Sequence, residues 1–237
     1  MSRWESGSQI IGFAHRGAPR TRREHNTLAA FERALNLGAR GLETDIGLTL
    51  DGAPVLLHPR LLTRRGVDVS RLRRSELPPA IPTLASLYER CGVDFDLSLD
   101  MGQPRAAEAV VEIAKRHGAF PRLWLTYWHL PMLTQWRAFW PQVRLVYPTI
   151  PVGHRRGTEA MNRLSAIGVD AINVYHAFST RRLIDAGHTR GLHVFAWGLR
   201  RRRSIERAVA NGIDGMYCDD VEAMVKAIGL DSRVPLS

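Results

Sequence analysis

Short apolar runs along the chain alternate with stretches whose apolar positions recur every three or four residues. The runs Ile10–Ala14, Gly41–Leu48, Asp94–Leu99, Arg122–Tyr127, Val143–Thr149, Ala171–Tyr175, His193–Gly198 and Gly215–Cys218 read as strands. Helical spacing fills the intervals at Thr27–Leu37, Pro82–Cys91, Pro104–His117, Leu130–Phe139, Thr158–Ile167, Thr180–Ala186, Arg203–Asn211 and Val221–Ile228. Glycine stands where several of these helices end, at Gly38, Gly92, Gly118, Gly168, Gly191 and Gly212, as a left-handed cap favours. Eight strand–helix units in order, with strands apolar enough to be buried on both faces, predict an α/β fold: a closed, parallel (βα)8 TIM barrel.

One segment departs from the repeat. Thr49-Leu50-Asp51-Gly52 precedes a second short apolar run, and Asp-Gly between two extended runs signals a hairpin. Pro54–His58 is therefore expected as an extra strand that folds back over the barrel mouth, a small insertion after strand two. The arginine-rich stretch from Arg60 to Leu77 then forms a surface excursion before the second helix.

Length agrees with this architecture, since barrels of roughly 200–250 residues run as one domain and this chain has 237, 45% of them hydrophobic. A single domain over residues 1–237 is expected. No apolar stretch is long enough for a transmembrane segment, and residues Met1 to Gln9 lack the apolar core of a secretory signal. Two cysteines, Cys91 and Cys218, imply no disulfide framework, so a reducing, cytoplasmic setting is expected. Net charge is +10, and of 33 basic residues only Lys115 and Lys226 are lysines. The arginines cluster at Arg20–Arg23, Arg71–Arg74 and Arg200–Arg203, scattered along the chain and without the interleaved aromatics that stack bases. No nucleic-acid partner is expected on charge alone, while peripheral contact with a membrane stays open.

The chemistry concentrates near the start. His15-Arg16-Gly17, Glu43-Thr44-Asp45 and His58 fall at the ends of predicted strands, which in a barrel of this class form the active-site face. Glu43 and Asp45 are two apart on a strand and so share a face. Two carboxylates aimed into one mouth raise each other's proton affinity unless a cation lies between them. A hard divalent ion with oxygen ligands, Mg2+ or Ca2+, suits them; the alternative is a pair of rim salt bridges to arginine. Arg16 offers a fork for phosphate oxygens, and two histidines suit an acid–base pair.

The ordered series Ala14-His15-Arg16-Gly17, Asn26-Thr27 with Ala30-Phe31, Glu43-Thr44-Asp45, Thr49-x-Asp51-Gly52, Val55 and His58 resembles the glycerophosphodiester phosphodiesterase family. Trp197 on a strand and Gly212-Ile213-Asp214-Gly215 leading to Asp219 resemble its closing segment. The resemblance implies a (βα)8 barrel that hydrolyses glycerophosphodiesters to glycerol 3-phosphate and an alcohol with a divalent metal ion. It implies Glu43, Asp45 and Asp100 as metal ligands, His15 and His58 as the catalytic acid–base pair, and Arg16 on the phosphate. Trp197 is expected to wall the glycerol site, with plain barrel packing as its alternative. Two other readings accompany this one: lysophospholipase D-type action on lysophospholipids, and a catalytically impaired barrel that only binds phosphodiesters. The oligomeric state and the alcohol moiety are left open.

The chain departs from the family pattern at three places. His25 stands where a glutamate is usual, Pro59 follows His58 in place of aspartate, and strand three reads Asp100-Met101-Gly102 in place of Glu-x-Lys. The register of that strand decides whether Asp100 or Ser98 stands at the ligand level. Asp219 is expected to cap the last helix, with support of the site as its alternative. His25, Tyr127, Trp128, His129 and His176 are further candidates for the rim.

Overall fold

The computed structural model of the chain describes residues 9–58, 68–148 and 154–229. Eight parallel strands close into a barrel: β1 (Ile11–His15), β2 (Gly41–Leu48), β4 (Asp96–Met101), β5 (Leu123–Thr126), β6 (Arg144–Pro148), β7 (Ala171–Tyr175), β8 (His193–Leu199) and β9 (Gly215–Cys218). Pairing of β1 with both β2 and β9 completes the ring. Eight helices cover it: α1 (Leu28–Asn36), α2 (Leu84–Cys91), α3 (Ala107–Arg116), α4 (Leu130–Phe139), α5 (His154–Ile167), α6 (Arg181–His188), α7 (Arg202–Ala210) and α8 (Val221–Gly229). None of them is long and apolar enough to cross a membrane.

The extra strand is β3 (Pro54–Leu56), which runs antiparallel along the C-terminal half of β2, with Ile46 opposite Leu56. Thr49 ties the turn by accepting from the Ala53 N–H at 2.9 Å. Beneath it lies a small separate core of Val55, Leu57, Val69 and Leu77. Two 3-10 turns, Val69–Arg71 and Arg74–Glu76, supply its far side. The first part of the expected excursion, including Arg60, lies outside the described residues.

Boundaries shift in two places. The third barrel strand spans Asp96–Met101 rather than residues 94–99, so Asp100 is part of the strand instead of following it. The helix expected from Thr158 begins at His154. In both cases polar residues continue an element whose apolar pattern is too short to announce its end.

The barrel is packed solid below its mouth. Phe13 stacks on Tyr217 at 4.9 Å between ring centroids and meets Phe195 at 5.6 Å, while Trp124 closes the group against Phe195 at 5.1 Å. Gly41 and Gly215 make room for these rings. A Cβ on Gly41 would stand 2.7 Å from the Phe13 ring, and one on Gly215 would stand 2.6 Å from that of Phe195. Aromatic filling of this kind gives the site above it a rigid, dry floor.

At the opposite end, aspartates at the strand starts hold the staves together. Asp96 accepts from Trp124 Nε1 and from Arg144, both at 2.7 Å. Asp170 accepts from the Leu145 N–H at 2.7 Å and from Arg137. Asp214 accepts from the Val194 N–H at 2.7 Å and from His188 at 2.8 Å. Burial pushes the Asp214 carboxyl up, but the His193 ring 3.6 Å away and hydrogen bonds from the Val194 N–H and His188 outweigh it and hold the group below the usual carboxylate range. A depressed carboxylate contributes stability that is complete above its unfolded value, about 3.9, and is lost as pH falls through the folded value. Asp214→Asn should therefore lower stability at neutral pH and flatten the acid limb of a pH series of urea unfolding below about pH 4.

Candidate active site

The turn after β1 brings the site together. Arg16 adopts a left-handed backbone at φ 59°, an uncommon state for a side chain of this size, and Gly17 follows at φ 83°. The Arg16 N–H donates to the Glu43 carbonyl at 2.9 Å and to Glu43 Oε2 at 3.1 Å. The Arg16 carbonyl accepts from the N–H of Asn26, itself left-handed and buried. Gly17 is dictated twice, by its φ and by space, since a Cβ there would stand 2.7 Å from the Ala30 carbonyl carbon. The first turn of α1, capped by Thr27, is thus pressed directly against the residue behind Arg16.

Parallel pairing places Asp45 beside Asp100 and Glu43 beside Ser98. Asp100 therefore stands at the upper carboxylate level. Ser98 lies a layer lower, where its hydroxyl meets Tyr217 Oη at 2.9 Å. The acidic groups Glu43, Asp45 and Asp100 converge around one guanidinium. Burial, then the charges of Asp100 and Asp45, raise the Glu43 carboxyl well above the carboxylate range. Burial, then the Asp45 charge, push the Asp100 carboxyl up, against a hydrogen bond from Thr126 and the Arg16 charge. Asp100 is open to solvent on its outer edge, so water tempers the first of these causes. Arg16 Nε lies 3.5 Å from Asp45 Oδ2, and both atoms are buried without a hydrogen bond.

The two histidines flank this group. His15 Nε2 is 3.8 Å from Glu43 Oε2, and His58 Nε2 is 3.9 Å from Asp45 Oδ1. His58 arrives on the chain leaving β3, anchored where the Leu57 N–H donates to the Asp45 carbonyl at 3.0 Å. The other nitrogen of His15, Nδ1, lies 2.5 Å from Asp219 Oδ1, and Arg200 Nε donates to Asp219 Oδ2 at 2.9 Å. Asp219 is thus a support of His15, and the expected helix cap falls instead to Asp220, which accepts from the Ala223 N–H at 3.0 Å. The His15 hydrogen bond, reinforced by Arg200, holds the Asp219 carboxyl below its ordinary range despite partial burial.

Trp197 stands late on β8 at the mouth, 45% exposed, edge-on to Tyr175 with ring centroids 5.0 Å apart. Barrel packing is not its role. His25 lies in the loop before α1, and burial followed by the charges of Arg16 and His15 lower its pKa. Tyr127 packs back on Trp136 at 5.4 Å, Trp128 is 64% exposed, and His176 faces Arg207 at 3.4 Å. No lysine reaches the mouth to replace the one missing at Gly102: Lys115 pairs with Glu112 on α3, and Lys226 lies on α8.

Oxygen-only donors, crowded charge and an orphaned Asp45 oxygen fit a hard divalent cation. Among the described residues, no three His, Cys, Asp or Glu groups stand in a ligating cluster. An acidic cradle, a guanidinium and two imidazoles at the C-terminal end of the strands define a barrel equipped for charge-neutralised acid–base chemistry. A profile of the glycerophosphoryl diester phosphodiesterase family matches residues 15–223. A glycerophosphodiester phosphodiesterase of Caldanaerobacter subterraneus is 23% identical over 93% of this chain and 98% of its own. The crystal structure of the Thermotoga maritima glycerophosphodiester phosphodiesterase superposes with a TM-score of 0.76 at 26% identity, covering 92% of this chain and 98% of that one. An Oleispira antarctica phosphodiesterase, solved with the product sn-glycerol-3-phosphate, shares the fold with a TM-score of 0.77 at 23% identity, over 93% of this chain and 97% of that one. The chain belongs to the glycerophosphoryl diester phosphodiesterase family.

Gly17→Ala should damage both the turn and α1. Stability is expected to fall by more than about 1 kcal/mol, read by urea unfolding, because strain at positive φ adds to a backbone clash.

Proposed function

We propose that the protein hydrolyses glycerophosphodiesters to glycerol 3-phosphate and an alcohol, with a divalent cation held by Glu43, Asp45 and Asp100. The observation that carries this reading is the convergence of three carboxylates on a single arginine between two histidines. A cation held there would supply charge neutralisation and Lewis acidity toward the phosphate. Arg16, fixed by its backbone bonds to Glu43, presents its guanidinium to the same phosphate.

The reaction forms a bond from an attacking oxygen to phosphorus and breaks the bond from phosphorus to the alcohol. His15 is the base: Asp219 holds its Nδ1 side, which leaves Nε2 facing the site, and the carboxylate stabilises the imidazolium formed. His58, across the carboxylates, gives a proton to the departing alkoxide. Trp197 and Tyr175 wall the glycerol end. A cytoplasmic setting completes the reading, supported by the free cysteines Cys91 and Cys218, whose thiols burial pushes up to about 11 and about 12.

Release of glycerol 3-phosphate from glycerophosphocholine and glycerophosphoethanolamine tests the proposal. Turnover should vanish with chelator and return with Mg2+, Ca2+ or Mn2+. His15→Ala should lose about 10²–10⁴-fold in kcat. Asp219→Asn should lose about 10–100-fold in kcat with KM little changed, since it orients a base and touches no substrate. Turnover that survives chelation, or that persists in His15→Ala, overturns the assignment.

A further inference from the structure

Large apolar side chains are exposed at six described positions: Leu50, Trp128, Phe139, Tyr175, Phe178 and Trp197. Phe139 ends α4 at the other end of the barrel wall. The remaining five lie on segments at or just beyond the C-terminal strand ends. Leu50 tips the β2–β3 turn, Trp128 follows β5, Tyr175 ends β7 and Phe178 follows it, and Trp197 is late on β8. Burial elsewhere is efficient, so this rim is a selective exposure rather than an average surface.

At the N-terminal strand ends Arg122 pairs with Asp94, Arg137 with Asp170 and Arg144 with Asp96, while Arg40, before β2, donates to the Gln9 side chain. At the mouth end, Arg22 and Arg23 follow β1, and Arg200 to Arg203 follow β8, all of them exposed. Among the described residues Arg200 pairs with Asp219 and Arg202 with Glu206, whereas Arg22, Arg23, Arg201 and Arg203 have no acidic partner. Runs that are far apart in sequence are thus gathered by the topology onto one face, interleaved with aromatic and aliphatic side chains.

We propose that the mouth face docks on a lipid bilayer bearing anionic headgroups, with the unpaired arginines at the phosphates and the aromatic rim in the interface. Trp and Tyr suit that depth because an apolar ring carries one polar edge, and arginine stems lie along apolar surface while their heads stay wet. Leu50 and Phe178 have no polar edge and gain from the acyl boundary. A nucleic acid would prefer rings lining a groove along one strand path, whereas these side chains lie on separate segments after β2, β5, β7 and β8. Docking by this face turns the barrel opening toward the membrane. The proposal goes beyond the hydrolysis reading, since it needs neither metal nor turnover.

Flotation of the full-length protein with vesicles tests it, comparing phosphatidylcholine alone with an equal mixture of phosphatidylcholine and phosphatidylglycerol. Binding should appear with the mixture, be much weaker with phosphatidylcholine alone, and fall as salt rises. Arg22→Gln and Arg203→Gln should each weaken partitioning by about fivefold, the factor for one basic residue near an anionic surface. Trp128→Ser with Phe178→Ser should remove the binding that survives high salt. Unchanged thermal unfolding of these exposed-site variants separates lost docking from lost folding. Equal binding to both vesicle types, undiminished binding of the arginine variants, or tighter binding to a single-stranded RNA oligonucleotide than to the vesicles overturns the proposal.

Discussion

Repulsion between carboxylates is the constraint around which the mouth is organised. Glu43, Asp45 and Asp100 cannot all hold a charge in so small a space without opposing charge, and among the groups acting on them Arg16 is the cation. Its position is therefore specified more tightly than a surface arginine's would be. The left-handed backbone, the N–H bonds to Glu43 and the packing of Gly17 on α1 all serve to keep that guanidinium between the acids. Strain of this kind persists only where the surroundings over-determine it. Here the surroundings are the closed sheet, the aromatic floor and the capped start of α1.

The division of labour between the two ends of the barrel follows from the same physics. At the strand starts, Asp96, Asp170 and Asp214 accept from neighbouring strands and helices, the latter two from backbone N–H groups as well as side chains. Such groups add stability and little chemistry. At the strand ends, charges are left crowded or unpaired, which costs stability. The dry aromatic layer of Phe13, Trp124, Phe195 and Tyr217 keeps these two regimes apart.

The order of strands and helices was legible because apolar periodicity is local and eight repeats reinforce one another. The core of the site was legible for a related reason. His15, Arg16, Glu43, Asp45 and His58 lie within a short stretch whose spacing encodes shared faces, and the resemblance to a known family rests on the same residues. Asp100 required the register of β4 against β2, which no pattern within one strand supplies. Asp219 was misread because a carboxylate just before a helix has a local reason to be there. Its partner His15 is 204 positions away, and the neighbouring Asp220 supplies the cap. The arginine rim was invisible for the opposite reason: each cluster is obvious in the sequence, and only the closed topology shows that two of them share a face.

The contact between His15 and Asp219 joins the first strand of the barrel to the segment leaving the last. A ribosome delivers His15, Arg16, Glu43, Asp45 and His58 within the first quarter of the chain, yet His15 finds its carboxylate partner only after β9 has slotted in beside β1. Every partly closed barrel therefore holds a histidine without its orienting carboxylate. The pairing of His15 with Asp219 is thus a property of the finished ring, made only when the far end of the chain is in place.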